Sequence, residues 1–188
     1  KILVYILMIS TLAINTPLSL VGIVGEISQY FNISISIVGL FISSFTFTIA
    51  ICGLFIPLVF SKYERKHTFM FILGIFSICN FISIFVHNFY IALILRIIPA
   101  IAYPAFVAIA LTFTEEIAPE SEKQSYITLI LLGISIGSII GLPITTFIGT
   151  TIGYQATITW IFAINFISFI LIALLFPKQK GKEKSYEA

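Results

Sequence analysis

The sequence predicts an all-α integral membrane protein with six transmembrane helices, and three observations lead there. The chain of 188 residues is 59% hydrophobic and only 10% charged, where soluble domains carry roughly 25% charged residues. Six apolar stretches have about the 20 residues needed to cross a bilayer: 2–25, 36–60, 68–86, 89–113, 126–149 and 155–176. Nine of the ten basic residues lie on one set of connectors or at the termini: Lys1; Lys62, Arg65 and Lys66; Lys123; and Lys178, Lys180, Lys182 and Lys184. By the positive-inside rule that end is cytoplasmic, so both termini are expected in the cytoplasm of a cell-membrane protein.

The first stretch is too long, and too polar in its middle at Asn15 and Thr16, to be a cleavable signal peptide. Asn15, Thr16 and Pro17 lie at mid-depth. Polar groups beside a helix-breaking proline suit a solute path, or equally hydrogen bonding between helices. Glu26 sits near the outer end of this stretch, as a solvated carboxylate or a proton-titrating one. The outer turn at His87–Asn88 is so short that spans three and four must be antiparallel neighbours.

Arg96 is the one charge deep in a span. Seven residues from Phe89 place it about 10 Å from the outer end, and a charge at a helix centre costs about 2.5–3.5 kcal/mol. Either it snorkels to the outer surface, or it faces a polar cavity or partner and is a functional residue.

Span five carries Gly133, Gly137 and Gly141 at intervals of four, then Pro143. Lipid gives apolar helices no drive to associate, so small residues that allow close backbone approach supply it. The glycine face is a static packing seam or a sliding surface. Hydroxyls such as Thr145 are expected to satisfy carbonyls freed by Pro143.

Residues 1–176 form one membrane domain, and 177–188 a basic cytoplasmic tail or the start of a central linker. Cys52 and Cys79 lie in apolar runs and read as small apolar side chains. No catalytic motif, metal-ligand spacing or basic–aromatic stripe for nucleic acid is present, so neither an enzyme, a cofactor, a metal site nor a nucleic-acid partner is expected.

The G-x-x-x-G-x-x-x-G-x-P helix resembles the fifth span of the major facilitator superfamily, called the antiporter motif in its proton-coupled members. "GTTIGYQATI" (149–158) resembles the G-x-x-x-G-W-R-x-x-F turn of its sugar- and drug-efflux branch, with Tyr154, Gln155 and Ile158 as departures. "PLVFSKYERK" (57–66) is similar to the superfamily's G-x-L-x-D-R-x-G-R-K loop. Lys62, Arg65 and Lys66 fit its basic positions, while Pro57, Ser61 and Glu64 replace the glycines and the Asp. "RIIPAIAYPAF" (96–106) is similar to the fourth-span pattern, and "NTPLSLVGIVGEIS" (15–28) to the first span of the efflux branch.

The resemblance implies half of a twelve-helix major-facilitator fold, the N-terminal one. It implies proton-coupled efflux of a sugar or drug-like small molecule by alternating access. Arg96, Asn15, Thr16 and Tyr103 would line the substrate and coupling path. Lys62, Arg65 and Lys66 would form a cytoplasmic gate with Glu115 or Glu116, with Arg65 and Glu115 as the latch, and the glycine face would let the halves separate. The partners implied are the solute, protons, the lipid bilayer, and a missing C-terminal six-helix half or a second copy. A non-transporting multi-span subunit or assembly partner is the rival reading.

Overall fold

In the computed structural model, which describes residues 1–177, nine α-helices and two 3-10 segments build six spans, with no β-strand among the described residues. Span one comprises α1 (Ile2–Asn15), a 3-10 segment (Thr16–Ile23) and α2 (Val24–Phe31). Span two comprises α3 (Ile35–Cys52) and the short α4 (Ile56–Phe60). Spans three and four are α5 (Arg65–Phe85) and α6 (Phe89–Ile117). Span five comprises α7 (Lys123–Ile139) and α8 (Gly141–Thr151), entered through a 3-10 turn at Glu120–Glu122, and span six is α9 (Tyr154–Leu175). All six spans contain a helix long and apolar enough to cross a membrane. The chain is a multi-pass membrane protein. Lys178 to Ala188, most of the expected tail, lie outside the described residues.

Three spans expected to be continuous are broken, and proline gives the reason. A proline at position i cannot donate to the carbonyl at i−4. Pro57 leaves Gly53 without that bond, and the helix of span two ends at Cys52 before restarting at Ile56. Pro143 leaves Ile139, and span five breaks at Ile140. Thr145 does not mend that break: its hydroxyl pairs with the Ser19 hydroxyl at 2.6 Å. In span one Pro17 frees the Ala13 carbonyl, which accepts from the Thr16 hydroxyl at 2.7 Å and from the Thr16 backbone N–H. The chain then runs as eight residues of 3-10 helix, well beyond the three or four that are common. Pro99 and Pro104 stay inside a continuous α6.

Span one is the centre of the bundle, with 67% of its most apolar window buried against 17% for α3. Its lower part packs in one apolar core with Phe69, Phe106, Phe113 and Phe176 near the basic end. Its upper part packs in a second core with Phe31, Phe41, Phe89 and Tyr154 near the other end. Spans three and six run antiparallel, Phe69 meeting Phe176 and the Gln155 amide donating to the Ile84 carbonyl. Asn88 caps α6 by accepting from the Tyr90 and Ile91 backbone N–H groups. Gly153 precedes α9 at φ +117°, a conformation that side chains rarely adopt, which explains one glycine of the outer turn.

The glycine face of span five is turned inward against span one of the same bundle. A Cβ on Gly133 would overlap the Met8 carbonyl oxygen and the Thr11 hydroxyl, and one on Gly137 would lie 2.8 Å from the Leu12 carbonyl oxygen. The two backbones are nearly in contact, which is the packing seam rather than a surface offered to another half. Gly141 has room, its nearest neighbour being Ser19 at 3.8 Å.

Gly133→Ala in the full-length protein should therefore lower stability by about 1–3 kcal/mol, because a backbone carbonyl cannot yield to the added methyl. Gly141→Ala should stay within about 0.5 kcal/mol of the parent. Thermal unfolding in detergent checks both; equal effects would show that the seam does not discriminate between the two glycines.

Candidate functional site

A polar layer lies between the two apolar cores, at the level where spans one and five break. Asn15, 1% exposed, is its hub. Its amide nitrogen donates to the Ile134 carbonyl at 2.7 Å and to the Ser138 hydroxyl at 2.6 Å, both on α7. Its amide oxygen accepts from the Tyr103 hydroxyl of α6 at 2.9 Å. One side chain thus ties spans one, four and five. Of the two roles open to Asn15 in the sequence, the geometry is that of helix–helix hydrogen bonding. Thr16 likewise spends its hydroxyl on the Ala13 carbonyl, while Tyr103 remains half-buried.

Arg96 does not snorkel. It is 7% exposed and points into the bundle, where Nε donates to the Phe41 carbonyl at 2.9 Å and Nη2 to the Pro17 carbonyl at 2.8 Å. Its guanidinium carbon lies 4.9 Å from the Phe41 ring centre and 4.7 Å from that of Phe45. Cation–π attraction of this kind reaches about 2 kcal/mol when desolvated. The charge is therefore distributed over two carbonyls and two rings, and one of those carbonyls belongs to the 3-10 segment of span one. Beside Arg96 is a cavity of about 20 Å³, also lined by Pro17, Asn80 and Tyr154.

The basic end holds a second constellation. Arg65 opens α5 with its side chain 9% exposed, and Nη2 donates to both carboxylate oxygens of Glu116, at 2.8 and 3.0 Å. This ties the start of α5 to the end of α6. The partner is Glu116, not the Glu115 expected for the latch. Glu115, one residue along the helix and so turned about 100° away, is exposed and makes no ion pair among the described residues. Lys62 and Lys66 are also without an ion pair there. Glu64 instead pairs with His67, and Lys1 with Glu122, joining the start of α1 to the start of α7.

Of the residues expected on a solute path, Arg96 and Asn15 thus meet in one layer but through different neighbours. Sequence reasoning missed that Asn80 and Tyr154 line the cavity beside Arg96. The available signals were a lone Asn in the apolar run "SICNFIS" and a Tyr at a position where the resembled turn has Trp.

Residues 3–187 match the family model described as Major Facilitator Superfamily. The chain belongs to the major facilitator superfamily. It is 27% identical, over 97% of its length, to the uncharacterised MFS-type transporter YfhI of Bacillus subtilis (strain 168), covering 46% of that protein. It is 30% identical over 64% of its length to a probable sugar efflux transporter of Helicobacter acinonychis (strain Sheeba), covering 31% of it. A probable sugar efflux transporter of Mannheimia succiniciproducens is 31% identical over the same share, 30% of that protein being covered. The chain spans about half the length of the first of these relatives. The six spans are accordingly one half of a major-facilitator fold.

Replacing Glu116 by Ala should cost the full-length protein about 1–3 kcal/mol, since a largely buried guanidinium loses its acceptor. Glu115→Ala should change stability by less than about 0.5 kcal/mol. Unfolding midpoints of the two variants, compared in the same detergent and salt, test the assignment.

Proposed function

We propose that the chain is the N-terminal half of a secondary active transporter that exports a small solute, sugar or drug-like, in exchange for protons. Family membership and the relatives named as sugar efflux transporters support this reading. The observation that carries it is the discontinuous span one, unwound at mid-depth for eight residues with a buried arginine bonded to its Pro17 carbonyl. Broken helices at the bilayer midplane are where secondary transporters bind solutes and coupling ions.

The basic ends face the cytoplasm, as the distribution of Lys and Arg dictates. Asn15, Thr16, Tyr103 and Arg96 set the shape of the path, mostly by holding its walls. The cavity beside Arg96 is too small for a sugar, so the solute site lies between this bundle and a second six-helix bundle. That partner is a C-terminal half of the same protein or a second copy. Alternating access rocks the two bundles about the solute. Arg65 with Glu116 keeps the cytoplasmic loop, with Lys62 and Lys66, in step with span four. The seam of Gly133 and Gly137, with Pro143 above it, keeps spans one and five together as the bundle moves.

Proteoliposomes carrying the full-length protein and acidified inside should accumulate labelled sugar or drug-like solute, and a protonophore should abolish the uptake. Arg96→Lys cannot span the Phe41 and Pro17 carbonyls with a rigid fork, and should lose about tenfold in flux while remaining monodisperse. Uptake at the level of empty vesicles across a solute panel would overturn the transport reading in favour of a non-transporting subunit.

A further inference from the structure

Two hydroxyls at mid-depth point away from the bundle. Ser135 is two residues from Gly133 and two from Gly137, and so is turned about 160° from both. Ser138, three residues on, lies about 60° round from Ser135 on the same side. Both serines are exposed, and what a serine exposes inside a helix is its Cβ and hydroxyl. Each spends its proton on its own helix, Ser135 on the Leu131 carbonyl at 3.1 Å and Ser138 on the Ile134 carbonyl at 3.3 Å. Tyr103, half-buried, spends its proton on the Asn15 amide oxygen, while the nitrogen of that amide donates to Ser138.

What these oxygens have left is lone pairs. The patch accepts hydrogen bonds and donates none, which selects against an anion. Arg96 selects against a cation. It lies seven residues before Tyr103 on the same face of the continuous α6, about 10 Å away, and no carboxylate contacts it among the described residues. An uncompensated positive charge at that range, in a layer of low dielectric, repels another. Around the serines Leu131, Leu132 and Ile139 are exposed, the apolar rim with few polar groups that solute sites have. Hydroxyls bonded to their own helix are tolerated against lipid, but these two lie beside the Asn15 layer, where spans one and five break. We propose that Ser135 and Ser138 contact the solute, and that the solute is uncharged and rich in hydrogen-bond donors, a sugar or other polyol rather than an organic acid or a protonated amine. The proposal rests on the transport reading, which puts a second bundle and the solute opposite this face.

Binding of a panel of labelled neutral monosaccharides to the purified full-length protein in detergent tests it, with flux measured on the same preparations in proteoliposomes. A neutral sugar should bind, and the uronic acid and the amino sugar of the same skeleton should compete at least tenfold more weakly. Ser135→Ala deletes only the outward acceptor and should weaken binding about fivefold, whereas Ser135→Thr keeps the hydroxyl and should bind like the parent. Ser138→Ala should also bind about fivefold more weakly. Thr159→Ala, which removes an exposed hydroxyl of α9 bonded to its own helix, should leave binding unchanged. Binding with these preferences but without flux would support the site and count against transport alone. The inference would be overturned if no neutral sugar bound, if the acid or the amine bound as tightly, or if both alanine variants kept parental affinity.

Discussion

Within a bilayer every backbone group released from a helix must find a partner inside the protein, because no water is there to take its place. This chain contains prolines at mid-span, and the architecture follows from how the carbonyls they free are satisfied. The Ala13 carbonyl, freed by Pro17, is taken by Thr16, and the carbonyl of Pro17 itself accepts from Arg96. The break in span five lies beside the break in span one, so the two helices bend at the same depth. Below it α1 lies against α7 through Gly133 and Gly137; above it the 3-10 segment lies against α8 through the Ser19–Thr145 pair. Spans one and five run parallel, and a break in only one of them would part the seam.

That seam also resolves the role of the glycine repeat. Lipid supplies no hydrophobic drive to bring helices together, so association rests on close contact and on polar bonds across it. Removing side chains from one face of α7 brings its backbone against the Met8 and Leu12 carbonyls. The same approach lets Asn15 reach the Ile134 carbonyl and Ser138. Glycine spacing and the buried amide are thus one device: without the close approach the amide would have no acceptor at that depth, and without the amide the approach would rest on dispersion alone.

Spans and fold class were legible in the sequence because hydropathy reports what lipid demands of a whole segment, and a family pattern distributed over four spans adds order to it. Local geometry was less legible. Pro57 and Pro143 advertise a break, but whether a helix kinks, continues or restarts depends on neighbours the sequence does not place; α6 continues through two prolines. The identity of the acid that pairs with Arg65 turned on one residue of helical rotation, which separates Glu116 from Glu115. The environment of Arg96 was illegible for a different reason. Its acceptors are backbone carbonyls, and its neighbours are phenylalanines indistinguishable by sequence from the many that fill the cores.

The polar groups of this bundle are for the most part spent on its own interior. Asn15 makes three bonds to neighbouring helices, the Thr16 and Ser19 hydroxyls stay within spans one and five, and Arg96 bridges spans one, two and four. A body tied in this way across its central span has few internal degrees of freedom at mid-depth, and it moves as a unit more readily than it deforms. Its outward faces are rich in large apolar side chains, among them Leu40, Phe47 and Leu54 of span two and Ile139 and Phe147 of span five. Such faces suit lipid or another bundle. A rigid half with its polar layer locked inside and apolar flanks outside fits the proposed rocking of two bundles, in which a solute would meet walls whose shape is set before it arrives.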